Sequence, residues 1–332
     1  MVKKTKFHPT TKGKEASKQS SKLNSHLKKA EIKSDTQAPK AKVAIRSITG
    51  CAGCQLTIYY VEDILLTLLE KVDLVAAPMI KEENYEGEVD ISFVEGSVTF
   101  TEDIEKIKEW RAKSKIIVAI GACAGEGGVQ QEKQFIDKAK AESYVYKKDT
   151  KFLKSVDPSP LSDHIKVDYY IKGCPVDKQE IIWFLKQVLA GKEPQEYEKP
   201  VCHECKLREN YCLLEQGRDC YGPITYGNCS IMCPDFNHAC TGCRGPVSDG
   251  NFQQFMTMLE EKGYSQKVIV QRMQKYSGVR LSRLIDAEKA KNQLNKPKTG
   301  NREVINMLIL LKDKVLSKKK RDISEIFKLH KN

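Results

Sequence analysis

Lys115-Ile116-Ile117-Val118-Ala119-Ile120-Gly121-Ala122-Cys123-Ala124-Gly125 is a short apolar, β-rich run that breaks at glycine and sets a cysteine just past the break. The same pattern occurs at Val43 to Ile48, which leads into Thr49-Gly50-Cys51-Ala52-Gly53-Cys54, and at Val167 to Ile171, which leads into Gly173-Cys174-Pro175. Val89 to Val94 runs into Glu95-Gly96-Ser97 without a cysteine. Helix-forming stretches separate these runs: Gln55 to Val72, about Thr101 to Ser114, and a segment after Asp177 that ends near Gly191. Thr99 or Thr101 is the expected N-cap of the second helix and Asp177 of the third. Strands alternating with helices predict an α/β fold built on a doubly wound parallel sheet with right-handed crossovers.

In such a sheet, ligands gather outside the carboxyl ends of the strands. Cys51, Cys54, Cys123 and Cys174 all fall at those ends, so residues more than a hundred positions apart are expected to meet. Glycines flank them (Gly50, Gly53, Gly121, Gly125, Gly173), and a missing Cβ lets the backbone approach a bulky group. Helix N-termini aimed at the same place favour thiolates. A single Cys-x-x-Cys is also used by zinc and redox pairs; four cysteines converging from three strand ends are far more specific than buried cysteines acting as small hydrophobes.

Past Pro200 the alternation stops. Residues 202 to 250 become rich in Cys, Gly and Pro, with Cys202-x2-Cys205-x6-Cys212-x7-Cys220 followed by Cys229-x3-Cys233-x6-Cys240-x2-Cys243. So short a segment has little core of its own, and metal clusters are its expected staples. Sequential grouping gives a second quartet at Cys202, Cys205, Cys212 and Cys220 and a third at Cys229, Cys233, Cys240 and Cys243; interleaved ligation stays open, as in some two-cluster ferredoxins. His203 and His238 adjoin these cysteines and are read as exposed polar residues. Two four-cysteine zinc sites would explain this segment, though not the long separations of the first quartet.

The chain has 332 residues, twelve cysteines and a net charge of +12. The positive charge is uneven. Residues 1–42 carry twelve lysines against three acids, and residues 260–332 carry 19 basic against 8 acidic side chains, which leaves −8 for the cysteine-bearing body. Nucleic-acid binding is therefore not expected of the body and is open only for the tails. No stretch reaches the roughly 20 apolar residues of a membrane-spanning helix, and the start of the chain has neither an apolar signal core nor a twin-arginine pair. A cytoplasmic protein is expected, where metal binding rather than disulfide formation is the ordinary use of cysteine.

Four segments follow. Residues 1–42 form a basic tail too poor in apolar residues to order; residues 43–199 form the sheet domain; residues 200–262 form the cysteine-rich domain; residues 263–332 form a basic helical extension. Residues 251–262 predict a helix with Phe252, Phe255, Met256 and Leu259 on one face, stopped at Gly263, and Ser265 to Tyr276 and Arg302 to Leu316 predict further helices before Lys318-Lys319-Lys320-Arg321. The extension is expected to pack on the body or on a partner; docking to an acidic electron carrier or to nucleic acid is the alternative.

At its motifs the chain resembles the small subunit of nickel-iron hydrogenases. Thr49-Gly50-Cys51-Ala52-Gly53-Cys54, Glu95-Gly96-Ser97-Val98, Gly121-Ala122-Cys123-Ala124 and Gly173-Cys174-Pro175 are similar to that family's proximal-cluster motifs, in order. Tyr211-Cys212, Cys220-Tyr221-Gly222-Pro223, Cys229 and Cys240-Thr241-Gly242-Cys243-Arg244-Gly245-Pro246 are similar to its outer-cluster motifs. The likeness covers about residues 43–260. It implies a flavodoxin-like sheet domain followed by a small iron-sulfur domain, with three 4Fe-4S clusters: proximal on Cys51, Cys54, Cys123 and Cys174, medial on Cys229, Cys233, Cys240 and Cys243, and distal on Cys202, Cys205, Cys212 and Cys220. It also implies a large subunit holding the nickel-iron centre and a diaphorase-like or ferredoxin-like partner linked to NAD(P), ferredoxin or deazaflavin. No residue of this chain is expected to be catalytic itself.

Two departures set the branch. Membrane-bound and periplasmic members have histidine where this chain has Cys202 and proline where it has Cys233, so the chain resembles the cytosolic branch with its sulfhydrogenase-type and viologen- or deazaflavin-linked enzymes. A fourth thiolate and a fourth iron imply a low medial potential within the range of roughly −700 to +450 mV open to such clusters. A complex I-like oxidoreductase without nickel is the first alternative, although its related subunit typically has two adjacent cysteines where Cys51 and Cys54 are separated. A zinc-stabilised nucleic-acid-binding protein is the second.

Overall fold

The computed structural model of the chain describes residues 40–60, 67, 70–146 and 154–294. Nearly all of the expected basic tail at 1–42, the expected helix at Arg302 to Leu316 and much of the expected helix from Gln55 to Val72 lie outside these residues.

In chain order the sheet region comprises β1 (Ala41–Ser47), α1 (Gly53–Tyr59), β2 (Val72–Ala76), β3 (Val89–Glu95), β4 (Val98–Phe100), α2 (Thr101–Ala112), β5 (Ser114–Ile120), α3 (Gly121–Glu126), α4 (Lys138–Tyr146), β6 (Ser155–Ser159), β7 (Tyr169–Ile171) and α5 (Lys178–Leu189). Five strands form one parallel sheet in the order β2-β1-β3-β5-β7. Counted along the chain, that is the 2-1-3-4-5 order of flavodoxin-like sheets. The expected fold class is thus present.

Both faces of the sheet are covered. Val43, Ile45, Ile91, Phe93, Val118 and Ile120 pack against Ile58 of α1 and Ile181, Phe184 and Leu185 of α5. The residues between them, Val94, Ile117 and Ala119, pack on the other side with Ile107 of α2 and Ala124 of α3. Period-two alternation that is apolar on both sides is what a central parallel strand needs, and it reads in sequence as an unbroken apolar run.

Three details differ from the sequence reading. Val72 opens β2 rather than ending a helix; the run Val72-Asp73-Leu74-Val75-Ala76 abuts helix-forming residues with no Gly or Pro to mark the change. Neither Thr99 nor Thr101 caps α2: Asp103 Oδ2 accepts from the backbone N–H of Thr99 and of Phe100, each at 3.0 Å. The antiparallel pair β4–β6 is an addition to the expected elements. Asp177 does cap α5, its Oδ1 accepting from Gln179 N at 2.8 Å and Glu180 N at 3.3 Å.

The following region comprises α6 (Val201–Leu207), α7 (Met232–Asp235), α8 (Phe252–Glu261), α9 (Gln266–Gln274) and α10 (Gly278–Leu294). Phe252, Phe255, Met256 and Leu259 are all buried, as the spacing predicts. They share one core with Val201, Leu213, Leu214, Tyr221, Ile224 and Ile231 upstream and with Ile269, Met273 and Leu281 downstream. Residues 200–250 thus draw apolar partners from α8, α9 and α10. α10 is absent from the sequence reading, because its apolar residues thin out after Leu281, Leu284 and Ile285 into a largely polar stretch. Among the described residues no helix is long and apolar enough to cross a membrane.

Three cysteine quartets as candidate metal centres

The first quartet is assembled by three strand ends. Cys51 and Cys54 follow β1, with Cys54 inside α1; Cys123 lies in α3 directly after β5; Cys174 follows β7. Cys54 and Cys123 are buried, Cys174 is half-buried and Cys51 is exposed. Glycine is required where the backbone meets sulfur: a Cβ on Gly121 (φ +82°) would collide with Cys54 Sγ, and one on Gly128 (φ +67°) would lie 2.6 Å from Cys123 Sγ.

Two polar residues hold this site; the sequence reading names Glu95 only within a motif and does not name Gln130. Glu95, at the end of β3 and 1% exposed, accepts from Cys54 N at 3.4 Å through Oε1 and from Gln55 N at 3.1 Å through Oε2. Gln130 Oε1 lies 3.4 Å from Cys123 Sγ, and its Nε2 donates to Thr49 O at 3.2 Å, which ties the β1 loop to α3. Glu95 stands in the motif Glu95-Gly96-Ser97-Val98; Gln130 lies in a short 3-10 helix, Val129–Phe135, whose sequence has no distinguishing pattern.

The thiols of the quartet feel one another. Cys54 is pushed far up, first by burial and then by the charge of Glu95, with Cys123 and Cys174 adding to it. Burial also raises Cys123, with Cys51 and Glu95 reinforcing and the Gln130 bond opposing. Cys174 is pushed up to about 11, by burial and then by Cys123, Cys243 and Cys51.

The second quartet forms around α6. Cys202 is pushed up to about 12 by burial and by Cys220, Cys205 and Cys212, and burial and the same neighbours raise Cys205. A Cβ on Gly222 would lie 3.3 Å from Cys202 Sγ and 3.6 Å from Cys220 Sγ. In the third quartet Cys240 is raised well above its ordinary value by burial, with Cys243, Cys220 and Cys229 adding. Cys229 is pushed up to about 11, chiefly by burial, and burial also raises Cys243, which in turn feels Cys233. Neighbours in sequence thus feel one another most, while Cys174 also feels Cys243 and Cys240 also feels Cys220. Each quartet leaves one member exposed: Cys51, Cys212 and Cys233.

Two contacts join the quartets in series. Cys240 N donates to Cys220 Sγ at 3.3 Å, linking the third quartet to the second. Cys174 and Cys243 lie within each other's field, and the Cys174 backbone N–H supports Cys243, linking the third to the first. Cys240 thus neighbours Cys220, and Cys243 neighbours Cys174. The loop of the third quartet is pinned to the sheet region by Arg244, 2% exposed, which forms a bidentate pair with Glu180 of α5 at 2.8 and 2.9 Å. His238 is exposed, and His203 is half-exposed with Nε2 3.5 Å from Lys199 Nζ, as expected for polar residues beside the site.

Buried thiols such as Cys54, Cys123, Cys202 and Cys240, pushed up by burial, are poorly placed to ionise alone, and a bound multivalent cation would favour their thiolate form. Among the described residues no three His, Cys, Asp or Glu side chains are drawn close enough to hold a single metal ion. In chemical type, sets of cysteine thiols fit an iron-sulfur group, which is bound by four thiolates.

Residues 51–188 match the family described as NADH ubiquinone oxidoreductase, 20 Kd subunit. The chain is 36% identical over 223 residues to sulfhydrogenase 2 subunit delta of Pyrococcus furiosus, covering 66% of this chain and 92% of that one. It is 34% identical over 235 residues to a subunit of the vhu F420-non-reducing hydrogenase of Methanocaldococcus jannaschii, covering 61% and 81%. It is 32% identical over 168 residues to NAD-reducing hydrogenase HoxS subunit delta of Cupriavidus necator, covering 46% and 80%. Among solved structures, a chain of an NAD+-reducing NiFe-hydrogenase in the H2-reduced state is 29% identical with a TM-score of 0.44, covering 48% of this chain and 96% of that one.

Proposed function

The chain belongs to the NiFe-hydrogenase small-subunit family and is a component of an oxidoreductase complex, and on that premise we propose that it conducts electrons between a nickel-iron large subunit and a separate redox partner, using three 4Fe-4S clusters. Cys51, Cys54, Cys123 and Cys174 would hold the proximal cluster, Cys229, Cys233, Cys240 and Cys243 the medial one, and Cys202, Cys205, Cys212 and Cys220 the distal one. Bound there, the clusters supply one-electron redox chemistry at low potential. The protein's part is to bind, insulate and orient: buried Cys54, Cys123, Cys220 and Cys240 exclude water from one side of each site, while backbone N–H groups donate to sulfur.

The observation that carries this reading is the serial contact of the quartets, first to third to second, through Cys174–Cys243 and Cys240–Cys220. Two separate structural zinc sites have no need of such an order. Exposed Leu207, Tyr211, Met232 and Phe236 stand beside the exposed Cys212 and Cys233 and suit burial by a partner subunit. Among the described residues no membrane-spanning helix is present, and a cytoplasmic complex linked to NAD(P), ferredoxin or deazaflavin suits the sulfhydrogenase- and F420-non-reducing-type relatives.

A second reading, an electron-transfer subunit of a complex I-like oxidoreductase without nickel, is favoured by the family description matched at residues 51–188. The separated Cys51 and Cys54 and the hydrogenase relatives favour the first. Metal analysis of the complex purified anaerobically through a tag on this chain decides among them. About twelve irons per copy with nickel in a co-purifying subunit is expected; iron without nickel supports the second reading, and zinc in place of iron overturns both.

A further inference from the structure

Glu126 has no part in the function proposed above, yet it is buried where the first and third quartets meet. It is the last residue of α3, three positions beyond Cys123, and is 2% exposed. Its Oε1 pairs with the Arg280 guanidinium from α10, while Oε2 has no hydrogen-bond partner among the described residues. A Cβ on Gly245, two residues beyond Cys243, would lie 2.6 Å from Oε1, so the carboxylate packs directly on the loop that carries the third quartet. Lys172, two residues before Cys174, also acts on its charge.

Arg280 belongs to a segment that spans this seam. Just before it, Gly128 N donates to Tyr276 O at 3.1 Å, and the Tyr276 side chain bonds that of Thr241 within the field of Cys174 and Cys243. Just after it, Arg283 holds Asp163 of the sheet region with two bonds of 2.9 Å. The Arg280 guanidinium itself lies 5.7 Å from the Tyr226 ring centroid. Residues 276–283 thus strap the sheet region to the cysteine-rich region over the gap between two quartets.

We propose that this strap is a working part of the electron path, in which Glu126 and Arg280 are positioning residues whose balanced charges set the reduction potential of the proximal and medial clusters. The inference rests on the cluster reading above. A charge in a low-dielectric seam acts strongly on a neighbouring redox centre, and the potential of an iron-sulfur cluster responds to net charge around it. Above about pH 7, where the Glu126 carboxyl is ionised, the pair keeps the local charge near zero, and removing either member alone leaves the other uncompensated.

The test is an EPR-monitored redox titration, at about pH 8.5 or above where Glu126 is ionised, of the intact, anaerobically purified complex, wild type against Glu126→Gln, Glu126→Gln/Arg280→Gln and Arg280→Lys, with iron measured in each. Glu126→Gln strands a cation, so the midpoint of the proximal or medial cluster shifts upward; the double substitution returns it towards the wild-type value, and Arg280→Lys leaves it there. Unchanged midpoints in Glu126→Gln with the iron retained overturn the proposal. Failure of both neutral variants to assemble overturns it as well, because the pair would then be structural only. Absence of iron from the wild-type complex would instead defeat the cluster reading on which the proposal rests.

Discussion

In residues 41–199 the four thiols of the first quartet hang from β1, β5 and β7, strands whose side chains fill cores on both faces of the sheet; in residues 200–250 eight thiols hang from α6, α7 and the loops around them. The backbones differ accordingly. Of the six described non-glycine residues at positive φ, five lie in the second region: Glu209, Asn228, Ser230, Ile231 and Asn237. Ile231, β-branched, fully buried and two residues beyond Cys229, is the most strained of them. Each such residue costs about 1–3 kcal/mol and persists only where its surroundings over-determine it. The first site is therefore built by the sheet, whereas residues 200–250 lean on α8, α9 and α10 and, on the function proposed above, on the clusters they would bind.

Removing the metal should break this comparison most visibly. Hydrogen exchange on chelator-treated protein is expected to show protection kept in β1, β3 and β5 and lost across residues 200–250. Uniform loss, or uniform retention, would mean that the two regions do not differ in the way their backbones suggest.

Removing the helical support comes next. Leu259 is fully buried in the shared core, so Leu259→Ala should destabilise the protein by about 2–5 kcal/mol. Chemical denaturation with iron release as the second probe should show the Cys202–Cys243 sites failing first. An equal change in Leu259→Ala with no early loss of iron would detach α8 from those sites.

Glu126, buried where the regions meet, sharpens the comparison through pH. Burial pushes its carboxyl up to about 7 against the pull of Arg280. The folded state then binds the proton more tightly than the unfolded chain does, so the group's contribution to stability is full below about 4.5 and is lost as pH rises through about 7. The change is on the order of 3 kcal/mol. Denaturation midpoints between pH 5 and 8 should fall with rising pH in wild type and much less in Glu126→Gln; parallel slopes would remove the titration from the seam.

The smallest effect belongs to the sheet region. Asp177→Ala removes the α5 cap and should cost about 1 kcal/mol, with iron content unchanged. Loss of iron in this variant would show that the sheet region does not hold its quartet by strand ends alone.

Much of this is legible in the amino-acid order. Apolar runs ending at glycine place Cys51, Cys54, Cys123 and Cys174 at strand ends, and the parallel sheet brings them together. The face of α8 and the Asp177 cap follow from spacing and side-chain chemistry. β2 is obscured because Val72 continues an apolar stretch with no breaker, and α10 because a helix that buries only a few side chains, Leu281 among them, leaves little periodic signal. The Asp103 cap escapes the sequence pattern because the carboxylate reaches backwards from the first turn. Glu126 and Arg280 are 154 positions apart, and no local pattern pairs them.

The central claim is the serial order of the quartets, and the direct measurement is rapid-freeze EPR of the complex after exposure to hydrogen, wild type against Cys240→Ala. The cluster proposed on Cys51, Cys54, Cys123 and Cys174 is expected to be reduced as in wild type, while reduction of the one proposed on Cys202, Cys205, Cys212 and Cys220 slows at least about tenfold, the equivalent of 1.4 kcal/mol in the barrier. Reduction of that outer cluster at the wild-type rate would contradict it.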